Sequence, residues 1–222
     1  MVSTINTIIT NGITFDVKNW QTPAMTMNHL QDDINHLFNA LDKLQLNYLL
    51  VGGIALLSYV EGRNTQDIDL ILSRQDLIKL SGIQIIEENK NFIRGKYQQL
   101  QVDILLTQNK LFKTVLKDFT AERKFGNQLI HCVTVEGLIV LKLYALPSLY
   151  RQGKFDKASI YENDILLLLL QYTVNLTPLL TLLSKHLLAS DLEEVDVIIN
   201  DIQAKIHRFS QHKQRFNPDA EK

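Results

Sequence analysis

YLLVGGIALLSYVEGRNTQDIDLIL, residues Tyr48 to Leu72, is the stretch on which the reading of this chain turns. An apolar run stops at Gly52 and Gly53, a short amphipathic segment follows, and an apolar strand resumes carrying Asp67 and Asp69. Residues two apart on a strand leave the same face, so both carboxylates point one way while Ile68, Leu70 and Leu72 fill the other. Two such carboxylates repel unless a positive charge lies between them, and hard divalent cations favour a few carboxylates together with phosphate oxygens. Gly52 and Gly53 stand between a strand and a helix, where glycine lets an anion approach backbone N–H groups closely. Taken singly, each feature has a structural explanation: Asp-x-Asp is a common string, and Gly-Gly serves as a plain strand-to-helix turn. Their juxtaposition points to a metal and phosphate site.

A third carboxylate belongs to the set. In LQVDILL, Asp103 lies inside another apolar strand between Val102 and Ile104, where an unpaired charge is costly to bury. A strand beside that of Asp67 and Asp69 brings Asp103 to the same edge. Three carboxylates can hold two Mg²⁺ ions that clamp a triphosphate, and Asp103 can accept the proton of an attacking hydroxyl.

Outward from this centre, Asn-Gly between β-prone flanks at Ile8 to Phe15 signals a hairpin. Leu30, Ile34, Leu37, Leu41 and Leu44 step by four and three, as on an amphipathic helix. Tyr48–Val51 reads as a strand, Ile54–Val60 as a short helix closed by Gly62, and Asp67–Leu72 as a strand. Ser73 with Asp76 caps a helix to about Leu80. Phe92–Tyr97, Leu100–Leu106 and the NQLIHCVTV segment read as strands, with KLFKTVLKDF helical between the last two. From Thr134 the pattern is helical. Thr177-Pro178 reads as a helix start, and Ser190 with Glu193 as the capping box of a last helix to about Phe209. The expected fold is α+β (α/β): a small mixed sheet flanked by helices over residues 1–133 with an N-terminal hairpin, a helical bundle over 134–210, and a loose tail over 211–222.

The string VGGIALLSYVEGRNTQDIDLIL resembles the signature of the DNA polymerase beta-type nucleotidyltransferase superfamily. That signature is an apolar residue, Gly, Gly or Ser, a spacer, then Asp-apolar-Asp-apolar, with a further Asp on a later strand; here the spacer from Gly53 to Asp67 is 13 residues. GRNTQDIDL, with Arg63 and Thr65 ahead of the acids, is most similar to the abortive-infection (AbiEii-like) bacterial nucleotidyltransferases, many of them toxin–antitoxin components. The resemblance implies Asp67, Asp69 and Asp103 as catalytic and metal-binding residues for two Mg²⁺ ions. It implies Gly52, Gly53, Arg63, Thr65 and Lys142 as nucleotide-binding residues. Lys142, in TVEGLIVLKLYAL, corresponds to a lysine that reaches the nucleotide phosphates. RQGKFDKASIYENDILLLL, with Arg151, Lys154 and Asp164, is similar to a basic-then-acidic segment of those proteins. The implied reaction is NMP transfer from an NTP (ATP among the candidates) to a hydroxyl. The acceptor is a tRNA 3′ end or a partner protein, a cognate toxin or antitoxin included. A small hydroxylated acceptor such as an aminoglycoside, and a silent binding module of the same fold, stand as alternatives. Lys142 also reads as the solvent-facing lysine of an amphipathic helix, and Arg63 as a surface-loop residue or the structural partner of an aspartate.

The remaining composition excludes several classes. The 222 residues are 45% hydrophobic and 21% charged, with a net charge of −1, so the chain is globular and carries no global basic field. Lys110 to Lys124 is locally basic and gives mild support to RNA; Lys205 to Arg215 is basic too, and for each run taken alone a solvated helix face is the better explanation. One cysteine, Cys132, rules out an internal disulfide and suits a reducing cytoplasm. The histidines lack zinc-ligand spacing. Ile165 to Leu183, the most membrane-like run, is broken by Gln171, Asn175 and Pro178 and reads as two core helices.

Overall fold

The computed structural model describes residues 24–61, 65, 67–125 and 128–216. The expected hairpin at Ile8–Phe15, Gly62, Arg63 and the last six residues lie outside them. Helix α1 (Ala24–Lys43) leads into strand β1 (Tyr48–Val51), the short helix α2 (Gly52–Leu56) and β2 (Ile68–Leu72). Then come α3 (Arg74–Lys79), β3 (Ile83–Glu88), β4 (Phe92–Tyr97), β5 (Leu100–Leu106), α4 (Lys110–Asp118), β6 (Thr120–Phe125) and β7 (Gln128–Val133). The rest is helical: α5 (Val135–Arg151), α6 (Phe155–Gln171), α7 (Leu176–Leu183) and α8 (Ala189–Phe216).

Among the described residues, seven strands form one mixed sheet in the order β3-β4-β5-β2-β1-β7-β6. β2 runs parallel to β5 and β1 parallel to β7, while the remaining neighbours are antiparallel. Ile93, Ile104, Leu70, Leu50 and Cys132 occupy one register row across five strands and are fully buried. α1 supplies Ile34, Leu37, Phe38 and Leu41 to the core and packs against β5, and α4 packs against β2, β5 and β6. Because side chains alternate along a strand, the next row along, Arg94, Asp103, Asp69 and Val51, points to the opposite face. The core row therefore dictates which face carries the charges.

Local chemistry explains the element boundaries. Ser73 caps α3 by accepting from the Asp76 amide at 3.0 Å, as its spacing predicts. The cap of α7 is Asn175, which accepts from the Thr177 amide at 3.1 Å, so the Thr177-Pro178 pair lies inside the first turn. α8 begins at Ala189, with the Leu192 amide bonded to the Leu188 carbonyl, so Ser190 is already helical and not the cap. The same helix continues to Phe216, beyond the expected end near Phe209 and into the expected tail. Its apolar stripe holds at Val195, Ile199 and Ile202 and opens to solvent by Phe209. β3 and β6 are not signalled by alternation; both are edge strands, and charged or exposed side chains along such an edge discourage pairing with other chains.

The contacts within the chain define two compact units, with the division between Leu138 and Ile139 inside α5, a few residues past the expected boundary at 133. The first holds the sheet. In the second, α6 packs on α8. Among the described residues, no helix is long and apolar enough to cross a membrane; Ile165 to Leu183 is the end of α6 followed by α7.

Candidate active site

The carboxylates converge because of register. Val51, the last residue of β1, lies opposite Asp69, and Asp69 lies opposite Asp103 on the parallel strand β5. The chain turns at Gly52 immediately after Val51. Gly52 has φ +69°, and a Cβ built there would stand 1.9 Å from Asp69 Oδ2 and 2.4 Å from its Cγ. A Cβ at Gly53 would stand 2.5 Å from Thr65 Oγ1. The two glycines thus clear the volume in which the Asp69 carboxylate and the Thr65 hydroxyl rest against the turn. α2 spans five residues, too short for the helix-dipole argument to carry weight; in this structure the glycines act by close approach.

The turn after α2 is fixed from behind. Tyr59 donates its hydroxyl to the Val133 carbonyl at 2.7 Å, and the Arg123 guanidinium lies 4.7 Å from the Tyr59 ring centroid. Burial raises the Tyr59 phenol above its ordinary range, with Arg123 opposing that shift. The glycine turn is therefore held between β1, β2 and β7.

Asp103 has a partner that the sequence reading missed. Arg94, directly opposite on β4, donates from Nε to Asp103 Oδ1 at 2.9 Å and from Nη2 to Oδ2 at 2.7 Å. Its Nη1 lies 3.8 Å from Glu87 on β3. The guanidinium's pKa is raised, first by the hydrogen bonds to Asp103 and then by the charges of Asp103, Glu87 and Asp67. A charge row, Glu87–Arg94–Asp103–Asp69, thus crosses four strands on one face. A readable signal existed: β4 and β5 are separated only by Gln98 and Gln99, and a two-residue hairpin places Arg94 opposite Asp103. The register is pinned by α1, whose buried Asp33 accepts from the Gln99 amide at 3.2 Å.

These residues fit one hard cation better than two. Asp69 rests against the glycine turn, and Asp67 comes immediately before the first residue of β2; two carboxylates are a donor set that Mg²⁺ takes together with phosphate oxygens. Both oxygens of Asp103 are already engaged by Arg94. Among the described residues, no group of three or more His, Cys, Asp or Glu side chains is placed to hold one metal ion.

Lys142 lies in the helical unit, on α5. It is buried, not solvent-facing, and donates to Asp164 of α6 at 2.7 Å, with its ammonium 4.4 Å from the Tyr161 ring centroid. In the same unit Arg151 pairs with the buried Asp191. Cys132, on β7, is buried, and burial pushes its thiol up to about 11, so it is a core residue.

The class that fold and site define is a mixed α+β sheet whose glycine turn seats Asp69 opposite an aspartate of the neighbouring parallel strand. No protein-family model and no curated protein matches the chain. Its neighbours among solved structures are nucleotidyltransferase-like proteins. An antigenic nucleotidyltransferase-like protein from Paracoccidioides brasiliensis is 17% identical, with a TM-score of 0.49, and covers 75% of this chain and 93% of its own. The antibiotic-resistance factor ANT(2'')-Ia in solution is 14% identical, with a TM-score of 0.47 over 83% of this chain and 98% of its own. Its crystal structure in complex with adenylyl-2''-tobramycin gives 14% identity and a TM-score of 0.45 over 78% and 95%.

Proposed function

We propose that this chain is a nucleotidyltransferase that moves NMP from an NTP to a hydroxyl of a macromolecular acceptor, tRNA or protein, in a bacterial toxin–antitoxin or phage-defence setting. One observation carries the reading. Asp69 and Asp103 are register partners on parallel strands, and the glycine of the signature string is the residue whose missing side chain makes room for Asp69. Gly52, Asp69 and Asp103 of the string are thus neighbours in space.

Asp67 and Asp69 would hold Mg²⁺, which supplies charge neutralisation at the phosphates and orients the triphosphate. Gly52 and Gly53 are assigned to the phosphates on the resemblance of their segment. Asp103 orients the acceptor hydroxyl: its oxygen bonds to the α-phosphorus, its proton passes to Asp103, and the bond to the bridging oxygen breaks to release pyrophosphate. A carboxylate has about four lone-pair positions, so Asp103 retains acceptor capacity while bound to Arg94. Arg63, Thr65 and Lys142 are assigned to the nucleotide on the resemblance of their segments. The basic run from Lys110 to Lys124, exposed on α4 and β6, favours RNA as the acceptor.

The test is transfer of label. The protein is incubated with Mg²⁺ and each labelled NTP in the presence of total RNA, lysate protein or an aminoglycoside panel. Label entering RNA or protein, and lost in Asp69→Ala, is expected. Label entering only the small molecule moves the acceptor class, and no label from any NTP with wild type and variant alike overturns the activity.

A further inference from the structure

The third carboxylate of the site is already paired with an arginine. Arg94 occupies both oxygens of Asp103 with two short charge-assisted bonds, the strong fork geometry available to a guanidinium and a carboxylate. Asp103 is buried, whereas the Arg94 side chain is about one-third exposed at 34%. The two lie opposite each other on a hairpin whose two-residue turn has its Gln99 amide held by Asp33. Guanidinium is a permanent cation, and a divalent ion at Asp103 would stand beside it and share the same oxygens. Repulsion between the two at contact distance is large wherever water is partly excluded.

We propose that Arg94 is a positioning residue that keeps Asp103 off the cation, so that the nucleotide-free protein binds one divalent ion through Asp67 and Asp69 alone. Asp103 is thereby reserved for the acceptor side of the reaction. Glu87 lies 3.8 Å from the Arg94 guanidinium, on the side away from Asp103. This rests on the cation assignment made above for Asp67 and Asp69.

The test is a titration of the full chain with Mn²⁺ alone, followed by the resonance of free Mn²⁺. Wild type is expected to show one site, lost in Asp69→Asn, and Asp103→Asn is expected to change its affinity by less than about twofold. Arg94→Gln removes the competing cation and is expected to add a second site or tighten binding by about tenfold. The double variant R94Q/D103N returns to wild-type behaviour. A merely structural arginine would change the melting temperature without creating a cation site that depends on Asp103. The inference is overturned if Asp103→Asn weakens wild-type binding about tenfold, or if folded Arg94→Gln binds as wild type does. If Arg94→Gln does not fold, the Asp103→Asn comparison decides alone. Absence of any Asp69-dependent Mn²⁺ binding in wild type sinks the cation assignment and this inference with it. Binding that depends on Asp103 in wild type sinks only the role of Arg94.

Discussion

At Gly52 two demands meet in one atom: the backbone takes a left-handed φ of +69°, and the space a side chain would fill is held by the Asp69 carboxylate. Left-handed backbone costs an L-residue about 1–2 kcal/mol. Gly52→Ala is therefore expected to lose at least that much stability, because Asp69, whose Cβ would stand 2.7 Å from the new one, must also be displaced from the turn. Misplacing a catalytic group by about 1 Å costs on the order of 100-fold in rate, so transfer should fall far more than stability. Parallel measurement of label transfer and thermal unfolding checks this. A variant losing stability but not transfer would mean that Asp69 works from another position. The sequence exposed Gly52, Asp67, Asp69 and Asp103 because each is chemically out of place in its apolar run. It did not expose Arg94, since an arginine in a half-exposed strand breaks no pattern; only pairing it across the hairpin gives it meaning.

Elements were legible where burial is one-sided. β4 and β5 stand where the apolar alternation puts them, and α4 follows the segment KLFKTVLKDF. β3, IQIIEE, has both faces open and so carries no alternation. β6, TAERKF, reads as polar sequence and is a strand because β7 offers it a partner. Tertiary pairing decided both. The hairpin turn between β4 and β5 gives a prediction at this scale. Gln98 has φ +54°, a left-handed position, and is exposed. Gln98→Gly is expected to stabilise the protein by about 0.5 kcal/mol, the left-handed cost less glycine's extra chain entropy. A denaturant midpoint that falls instead would show that the Gln98 side chain contributes a contact. On α5 and α6, the buried Lys142–Asp164 pair makes a second case. Breaking such a pair from one side costs about 3–5 kcal/mol, whereas replacing both partners with apolar residues is often neutral. Asp164→Ala should therefore destabilise strongly and K142M/D164L much less, as read by chemical denaturation. Transfer activity of the folded double variant then separates a structural lysine from one that serves the nucleotide.

For the whole molecule, the change from sheet to helices was visible in the change of hydrophobic period after Thr134. The contact boundary falls slightly later because α5 runs through it without a break that composition could mark. A property of the whole chain follows from four weak acids whose ionisation the fold opposes. Burial pushes the Cys132 thiol from 9.0 up to about 11, and burial together with Asp42 raises the Tyr48 phenol from 10.0. Tyr59 is raised by burial, and Tyr150 reaches about 12, first through its hydrogen bond to Glu162. All four keep their protons longer folded than unfolded. Each contribution is complete below the unfolded value, about 9 to 10, and is lost as pH rises through the folded one, because ionisation pulls the chain toward the unfolded state. The denaturant midpoint should thus hold steady to about pH 9 and fall steadily beyond it, with Cys132 governing the first part of the decline. Cys132→Ala, which removes the earliest of the four, should flatten the midpoint between about pH 9 and 10 and leave the loss above it to the tyrosines. A wild-type midpoint that stays level from pH 8 to 11 would mean that these groups ionise as freely in the folded protein as in the unfolded chain.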